Sequence, residues 1–293
     1  MTLFVQLLVE GLEHGSLYAI WALAYSLVYQ VLGLLNFAFG DTLLLAIYAI
    51  IGLSGADGLP IWLAMVVGIC IAAVLFMMSE RGIFSRFART GHIEMGFIAA
   101  IAFGYICRNV ATILLGNEPV AFPSLFPNTV FTIAGVKVAS TGLIVIGITA
   151  VVLVVLMAYL RLSRLGRGIV LLGQDPRMAR LVGIPARRIV TTVYGVSGAL
   201  GLIGVILFAN LTGGVSSTTG FYITFQAFIA ATVGGVGSLT GSVIGGLGLG
   251  VVESLSVGYV SGDFSQALAW LAMAVVVLIR PRGLLGRKEV ERV

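Results

Sequence analysis

Four ionisable residues lie inside segments that are otherwise apolar: Asp41, Glu94, Arg108 and Glu253. Charged groups in apolar surroundings normally pair with an opposite charge or face a polar cavity. Glu94 lies at the edge of its segment and is interpreted as an interfacial residue. Arg108 and Glu253 are the candidates for a buried charge pair, or for a place where the charged ends of a small ligand are bound. Asp41 forms a polar patch with Asn36 that either caps a short helix or lines a gate.

A second candidate for function is a short helix in the longest polar stretch of the chain. Asp175 can accept hydrogen bonds from its free N–H groups, Pro176 suits its first position, and Gly183 can take the left-handed conformation that ends it. A helix of two turns is not stable alone in water, so it must dock on lipid headgroups or on a soluble partner. Its apolar face carries Met178, Leu181 and Val182, and its other face Arg177 and Arg180, with Ala179 between them.

Glycine is concentrated in the region from 234 to 250. The four-residue spacing of Gly237, Gly241 and Gly245, repeated by Gly246 and Gly250, lets membrane helices approach closely. Glycine also permits a helix to break, and a broken helix in a membrane is tolerated where its backbone faces protein or water. On these grounds the candidate pathway or gate residues are Asn36, Gly40, Asp41, Gly234 and Gly235.

The sequence lacks the motifs of the commonest ATP and metal chemistry. A phosphate-binding loop ends in Gly-Lys-Ser/Thr, and neither lysine, Lys137 or Lys288, follows a glycine. The two histidines, His14 and His92, are too few for a His-based metal centre. We therefore expect no metal, no cofactor and no enzymatic activity, and ATP hydrolysis would have to come from other proteins.

The helices that position these residues must lie in a membrane. Of the 293 residues, 59% are hydrophobic and 10% are charged, whereas soluble domains are about 25% charged. The mean hydropathy is +1.11. This composition excludes a soluble enzyme, a disordered segment and a nucleic-acid-binding domain, and predicts an all-α integral membrane protein whose surface partner is lipid.

Nine apolar segments approach the length of about 20 residues that a crossing of the bilayer needs. Two of them, 37–54 and 221–237, are short and interrupted by glycine, so each is a candidate for a broken or re-entrant helix. The expected fold is a polytopic membrane protein with eight to ten transmembrane helices. The nine segments are 15–35, 37–54, 60–79, 95–115, 141–160, 190–211, 221–237, 240–257 and 264–280.

Most basic residues fall in three clusters, which the positive-inside rule assigns to the cytoplasm. Counting crossings between the clusters puts the N-terminus outside and the C-terminus inside, with 116–140 outside. We expect one transmembrane domain, 1–293, made of a half 1–160, a cytoplasmic loop 161–189 and a half 190–293. The clusters are Arg81, Arg86 and Arg89; Arg161, Arg164, Arg167, Arg177, Arg180, Arg187 and Arg188; and Arg280, Arg282, Arg287, Lys288 and Arg292.

One motif resembles a known family, the permeases of branched-chain amino acid ABC importers, and their H-subunit branch in particular. The run Gly33-Leu-Leu-Asn36-Phe-Ala-Phe-Gly40-Asp41 is similar to the family signature Asn-Phe-Ala-His-Gly-Glu. Phe39 stands in place of the histidine of that signature, and Asp41 in place of its glutamate.

Two further runs carry the same resemblance. They are the loop with Asp175-Pro176 and Gly183-Ile184, and the glycine-rich run from 228 to 246. The motifs follow the expected order, and the resemblance extends from residue 15 to residue 282. It implies that the helix between Asp175 and Gly183 is a coupling helix, which closure of an ATPase moves.

The resemblance implies a permease subunit of a binding-protein-dependent importer in the inner membrane of a bacterial-type cell. Its substrate would be a branched-chain or related amino acid, with urea or short amides as the alternative. Such a subunit pairs with a paralogous permease in a heterodimer, and works with two cytoplasmic ATPase subunits and an extracytoplasmic substrate-binding protein. An ion-coupled secondary transporter is the alternative from another class, but it would have no need of the capped cytoplasmic helix.

Overall fold

The computed structural model describes residues 2–55, 58–90, 93–116, 118–127, 129–133, 136–174, 176–260, 262–280 and 283–286. Helices dominate these residues. They are α1 (Thr2–Leu32), α2 (Phe39–Leu53), α3 (Ile61–Ser79), α4 (Ser85–Thr90), α5 (Ile93–Leu115), α6 (Ser140–Leu162), α7 (Arg164–Gln174), α8 (Pro176–Leu181), α9 (Ala186–Thr212), α10 (Thr219–Gly234), α11 (Leu239–Tyr259) and α12 (Ser265–Ile279). A π-helical turn (Glu80–Phe84) joins α3 to α4, and a 3-10 turn (Gly262–Phe264) precedes α12.

Each of the nine apolar segments corresponds to a helix in the described part of the chain. The all-α, polytopic fold expected from the sequence is confirmed. Three of these helices, α2, α10 and α12, are apolar but shorter than a full crossing, and the first two are those expected from 37–54 and 221–237. Six described spans are long and apolar enough to cross a membrane: Thr2–Leu32, Ile61–Ala88, Glu94–Leu114, Ser140–Leu162, Ala186–Thr212 and Leu239–Tyr259.

The first helix begins thirteen residues before the segment expected from hydropathy, at Thr2 instead of residue 15. The polar residues Glu10, Glu13 and His14 end the apolar run, but they do not end the helix, because glutamate is a good helix former. Glu13 is buried, and a Cβ atom added at Gly142 in α6 would overlap its carboxylate. Glu13 is therefore packed against α6, whereas Leu3, Phe4 and Val5 at the start of α1 are exposed.

The chain divides into two compact units. The first unit consists of Met1–Ser26, Phe126–Leu153 and Gln226–Val293, and the second of Leu27–Leu125 and Val154–Phe225. The chain passes from one unit to the other within α1, α6 and α10. Each unit is therefore assembled from segments that are distant in the sequence.

In the first unit, glycines bring α11 against the start of α1. Ideal Cβ atoms at Gly246 and Gly250 would collide with the backbone of Ala19 and Gly15, respectively. A Cβ atom at Gly11 would come within 2.8 Å of the Cα atom of Val251. Small residues at a four-residue spacing permit this backbone approach, as the sequence predicts.

In the second unit, α2 packs between α3, α5 and α9. The ring of Phe39 meets the ring of Phe76 edge to face, with centroids 5.5 Å apart. Both side chains are fully buried. Phe39 stands where the related family has histidine, and here it is part of an apolar core.

Four short strands lie in the loops and form two antiparallel pairs. Strand β1 (Val120–Ala121) pairs with β4 (Gly214–Val215), and β2 (Val130–Ile133) pairs with β3 (Val136–Ala139). The sequence analysis did not predict them, because strands of two to four residues show no useful alternation. The β1–β4 pair holds two distant loops of the second unit together.

Candidate functional site

The chain leaves the helical conformation between α1 and α2, at residues 33–38. Gly33 ends α1 with φ +67°, in the left-handed region that favours glycine, and its N–H donates to the carbonyl oxygen of Tyr29 at 2.7 Å. Asn36 is buried, and its Oδ1 accepts from the N–H of Ala38 at 3.1 Å. Asn36 therefore closes a turn just before α2, while the N-cap residue of α2 is Ala38, whose side chain makes no capping hydrogen bond.

Asp41, in the first turn of α2, forms an ion pair with Arg108 of α5. Its Oδ1 accepts from Nε and Nη2 of Arg108 at 3.1 and 3.0 Å, and its Oδ2 accepts from Nη2 at 2.9 Å. The side chain of Asp41 is 5% exposed and that of Arg108 is 22% exposed. The partner of Arg108 is thus Asp41, and the expected pair of Arg108 with Glu253 is corrected. The two groups that meet lie on neighbouring helices of the second unit, which segment positions alone do not reveal.

Backbone from three helices closes tightly around Asp41. A Cβ atom at Gly220 of α10 would lie 2.5 Å from Oδ1 of Asp41, and one at Gly104 of α5 would lie 3.0 Å from Oδ2. A Cβ atom at Gly40 would overlap the carbonyl oxygen of Gly220. The N–H of Gly40 donates to Oγ1 of Thr224 at 2.8 Å. The start of α10 and the start of α2 therefore meet at the ion pair.

The guanidinium of Arg108 lies near two aromatic rings. Its Cζ atom is 5.4 Å from the ring centroid of Tyr105 and 5.3 Å from that of Phe221. Cations are attracted to aromatic faces at such distances. Nη1 donates no hydrogen bond to any described residue. Asp41 thus occupies one edge of the guanidinium and leaves another edge open.

Sequence analysis did not identify Tyr105, Gly104, Gly220, Phe221 or Thr224 as part of this site. One signal in the sequence was available: polar or amphipathic side chains recur along α5 at helical spacing. No such pattern in the sequence marks a glycine that makes room for a side chain from another helix. The stripe consists of Tyr105, Arg108, Asn109 and Thr112.

Glu253 of α11 lies in the first unit, beside uncharged groups. Nε2 of Gln226 lies 3.4 Å from Oε2 of Glu253, and the hydroxyl of Tyr18 also donates to this carboxylate. Gln226 is buried, and its Oε1 has no hydrogen-bond partner in the part of the chain that the structure describes. Among the described residues, no arginine or lysine lies within ion-pair distance of Glu253.

Gly234 and Gly235 form the turn that ends α10. The carbonyl oxygens of Val233 and Gly234 accept from the N–H groups of Leu284 and Leu285 at 2.9 and 3.0 Å. Ideal Cβ atoms at Gly234 and Gly241 would overlap the backbone of α11 and α10, respectively. The geometry gives these glycines a packing function in the first unit.

The short cytoplasmic helix expected from the sequence corresponds to α8. Gly183 has φ +78°, and the N–H of Ile184 donates to the carbonyl oxygen of Ala179 at 3.0 Å, which is the hydrogen bond of a Schellman C-cap. Asp175 lies outside the described residues, as do the side chains of Pro176, Arg177 and Arg180. In the arginine clusters, Arg282 and residues 287–293 also lie outside them.

One face of α8 is apolar and exposed. Met178 is 53% exposed, Leu181 is 81% and Val182 is 69%, whereas Ala179 is fully buried against its neighbours. The preceding helix α7 buries Ile169 and Leu172 and was not predicted. Helix α8 is therefore held to the second unit on one side and presents its larger apolar side chains outward.

Comparison with known proteins finds one matching family and several similar sequences. The family described as "Branched-chain amino acid transport system / permease component" matches residues 7–279. The chain is 30% identical over 302 residues to the high-affinity branched-chain amino acid transport system permease protein LivH of Escherichia coli (strain K12), covering 99% of this chain and 98% of that protein. It is 31% identical over 301 residues to the corresponding permease protein BraD of Pseudomonas aeruginosa, with the same coverage.

A solved structure is also similar. A chain in the structure of PsaBC from Streptococcus pneumoniae in complex with Fab shares 18% identity, with a TM-score of 0.47. The similarity covers 95% of this chain and 92% of that one.

Proposed function

The chain belongs to the family of permease components of branched-chain amino acid transport systems, and we propose that it forms the membrane pathway for a branched-chain or related amino acid. The match over residues 7–279 carries this proposal. The whole chain, 1–293, then acts as one transmembrane domain in an inner membrane. The break at residues 33–38 supports a pathway beside Asn36, Gly40 and Asp41, because irregular backbone at membrane depth occurs where it faces protein or water.

The proposed assembly contains a second permease subunit, which we infer to be a paralogue. It also contains two cytoplasmic ATPase subunits and an extracytoplasmic substrate-binding protein. ATPase partners are needed because this chain has no Gly-Lys-Ser/Thr sequence with which to bind phosphate. Gly234 and Gly235 contribute to this function by fixing the turn between α10 and α11.

We infer an orientation with the N-terminus outside and the C-terminus in the cytoplasm from the three arginine clusters, and contacts within each unit join loops that this orientation assigns to the same side. In the second unit, the β1–β4 pair joins loop 116–140, assigned to the outside, to the loop 212–220, which the same count of crossings places outside. Oγ1 of Thr191 donates to Oε2 of Glu80 at 2.8 Å, which joins two helix ends assigned to the cytoplasm. In the first unit, residues 283–285 lie against the turn after α10, again on the side assigned to the cytoplasm.

Helix α8 is proposed to be the coupling helix that docks on an ATPase subunit. Its exposed apolar face would be buried by a groove on that partner. Leu181→Glu places a charge in the face and should abolish binding-protein-stimulated ATP hydrolysis and uptake together. The matched control is Leu162→Glu, because Leu162 is 79% exposed at the end of α6 and lies outside α8.

Both variants should fold, because neither side chain is buried. Stimulated hydrolysis and uptake are measured in proteoliposomes that contain the ATPase subunits. Equal loss in both variants would mean that any added charge at this surface is harmful. Full activity of Leu181→Glu would mean that α8 rests on lipid, and the coupling function would be withdrawn.

The transport function is tested by reconstituting the chain with its permease, ATPase and binding-protein partners. We expect uptake of leucine, isoleucine or valine that requires both ATP and the binding protein. Uptake of urea or acetamide instead would establish the alternative substrate class. Uptake by this chain alone, driven by a proton or sodium gradient, would contradict the proposed function.

A further inference from the structure

Helix α5 carries two exposed stripes of different character. One stripe consists of side chains three or four residues apart, which therefore lie on one face of the helix: Tyr105, Arg108, Asn109 and Thr112. Ile106 and Ile113 are seven residues apart and share a neighbouring stripe. Tyr105 and Ile106 are 59% and 60% exposed, so exposure does not distinguish the stripes. The two stripes differ in their side chains, because the first is polar and carries a charge and the second is aliphatic.

The stripe of Arg108 must face something other than lipid tails. Arg108 lies inside a 23-residue apolar helix, two turns from its end, where Asp41 fixes its guanidinium, and its side chain is still 22% exposed. A charged side chain within a membrane faces the interior of the assembly or a water-filled cavity. On a permease of this family, the cavity that needs such a lining is the translocation pathway.

The open part of the guanidinium has the chemistry of a carboxylate site. Asp41 accepts from Nε and Nη2, while Nη1 keeps its donors free of the described residues. Carboxylates bind best to the paired N–H donors of arginine.

Two aromatic rings lie near the same guanidinium. Tyr105 and Phe221 are 59% and 46% exposed, and their ring centroids lie within 5.4 Å of the guanidinium carbon. Large exposed rings at this point provide an apolar surface next to the charge. The guanidinium and the rings together complement a carboxylate that carries an apolar side chain.

We propose that Arg108 binds the α-carboxylate of an apolar amino acid during its passage, with Tyr105 and Phe221 contacting the side chain of that amino acid. This inference rests on the proposed function and names the point in the pathway where the substrate is held. Arg108 keeps its contact with Asp41 through Nε and Nη2 and offers Nη1 to the substrate carboxylate. The ion pair thus holds the guanidinium in place, and the partial exposure of the Arg108 side chain leaves its other edge accessible.

The first experiment measures accessibility of the two stripes in the assembled transporter. Cys70 and Cys107 are replaced by alanine, and single cysteines are introduced as Tyr105→Cys, Asn109→Cys and Ile106→Cys. The thiolate is the nucleophile that attacks hydrophilic thiol reagents, and it does not form against lipid tails. Tyr105→Cys and Asn109→Cys should react, and Ile106→Cys should not.

The second experiment asks whether the carboxylate of the substrate is recognised. In the permease–ATPase complex without binding protein, leucine should slow the labelling of Asn109→Cys, whereas leucinamide, which lacks the carboxylate, should not. In the presence of Arg108→Lys, half-protection should need about tenfold more leucine, because a point charge replaces a paired donor. A residue with only a structural function would not alter this difference between leucine and its amide.

Three outcomes overturn the inference. Tyr105→Cys and Asn109→Cys that stay unreactive in the assembled transporter would show that the second permease or lipid covers the stripe. Equal protection by leucine and leucinamide, or none, would show that no carboxylate binds there. If the cysteine-free parent takes up no leucine with all partners present, the proposed function is rejected as well. If leucine is taken up but does not slow the labelling of the introduced cysteines, the inference alone is rejected.

Discussion

Two acidic residues in apolar helices are held in different ways in the two units. In the second unit, Asp41 is neutralised by Arg108 through three hydrogen bonds of 2.9–3.1 Å. In the first unit, Glu253 has only the uncharged neighbours Gln226 and Tyr18. Asp41 therefore depends on one cation, whereas Glu253 depends on none among the described residues.

This difference predicts which substitution each unit tolerates. Removing one partner of a buried ion pair leaves an uncompensated charge, which costs far more than the pair contributes. Removing a charge that has no counter-ion leaves nothing unpaired. The same change from a charged to an amide side chain should therefore be severe in the second unit and mild in the first.

The largest effect is expected for Arg108→Gln. Asp41 is 5% exposed and would lose its only described cation. Breaking a buried pair from one side costs about 3–5 kcal/mol in the free energy of unfolding. The midpoint of denaturation of the purified complex in mixed micelles should fall accordingly. Uptake should be lost with it.

The double variant Asp41→Asn with Arg108→Gln provides the control. It removes both charges, so it should recover most of the stability while transport stays impaired. The interaction energy of the resulting double-mutant cycle isolates the pair. Additive losses would mean that the two residues act separately and that the contrast between the units is unfounded.

The sequence predicted the presence of the charged residues but assigned Arg108 to the wrong partner. Nine apolar segments could be located because about 20 apolar residues leave a clear signal. The partner of Arg108 could not, because Glu253 and Asp41 are both acids in apolar runs. Only tertiary structure shows that Gly104 and Gly220 make room for Asp41 beside α5.

A second prediction compares two glycines on the same helix of the first unit. A Cβ atom at Gly250 would collide with the backbone of Gly15, whereas one at Gly248 meets nothing within 4 Å. Gly250→Ala should lower the free energy of unfolding by about 1–3 kcal/mol, since overpacking displaces backbone. Gly248→Ala should raise it by up to about 1 kcal/mol through helix propensity.

Thermal midpoints of the two variants in one detergent measure this difference. If both glycines behaved alike, α1 and α11 would not approach as closely as described. The four-residue spacing indicated close packing of this region from the sequence. It could not identify α1 as the partner, because Gly15 and Ala19, which meet α11, do not stand out within the apolar segment 15–35.

A third effect is expected at the break before α2. Asn36→Ala removes the Oδ1 acceptor for the N–H of Ala38 and should cost about 1–3 kcal/mol, the usual value for leaving a buried donor without its partner. Asn36→Asp keeps the acceptor and serves as the matched variant. Stability is again measured by the denaturation midpoint. A loss for Asn36→Asp equal to that for Asn36→Ala would show that the buried site rejects charge and that this hydrogen bond is secondary.

The smallest effect is expected for Glu253→Gln, and it tests the contrast between the two acids directly. The new amide oxygen can accept from Gln226 and from Tyr18 as the carboxylate does, while a charge is removed from partly buried surroundings, where charges are costly. The free energy of unfolding should therefore change by no more than about 0.5 kcal/mol, and in the stabilising direction if at all. The measurement is the same denaturation midpoint, taken beside Arg108→Gln. A loss as large as that of Arg108→Gln would mean that Glu253 is neutralised by a cation, and the two units would then hold their acids by the same means.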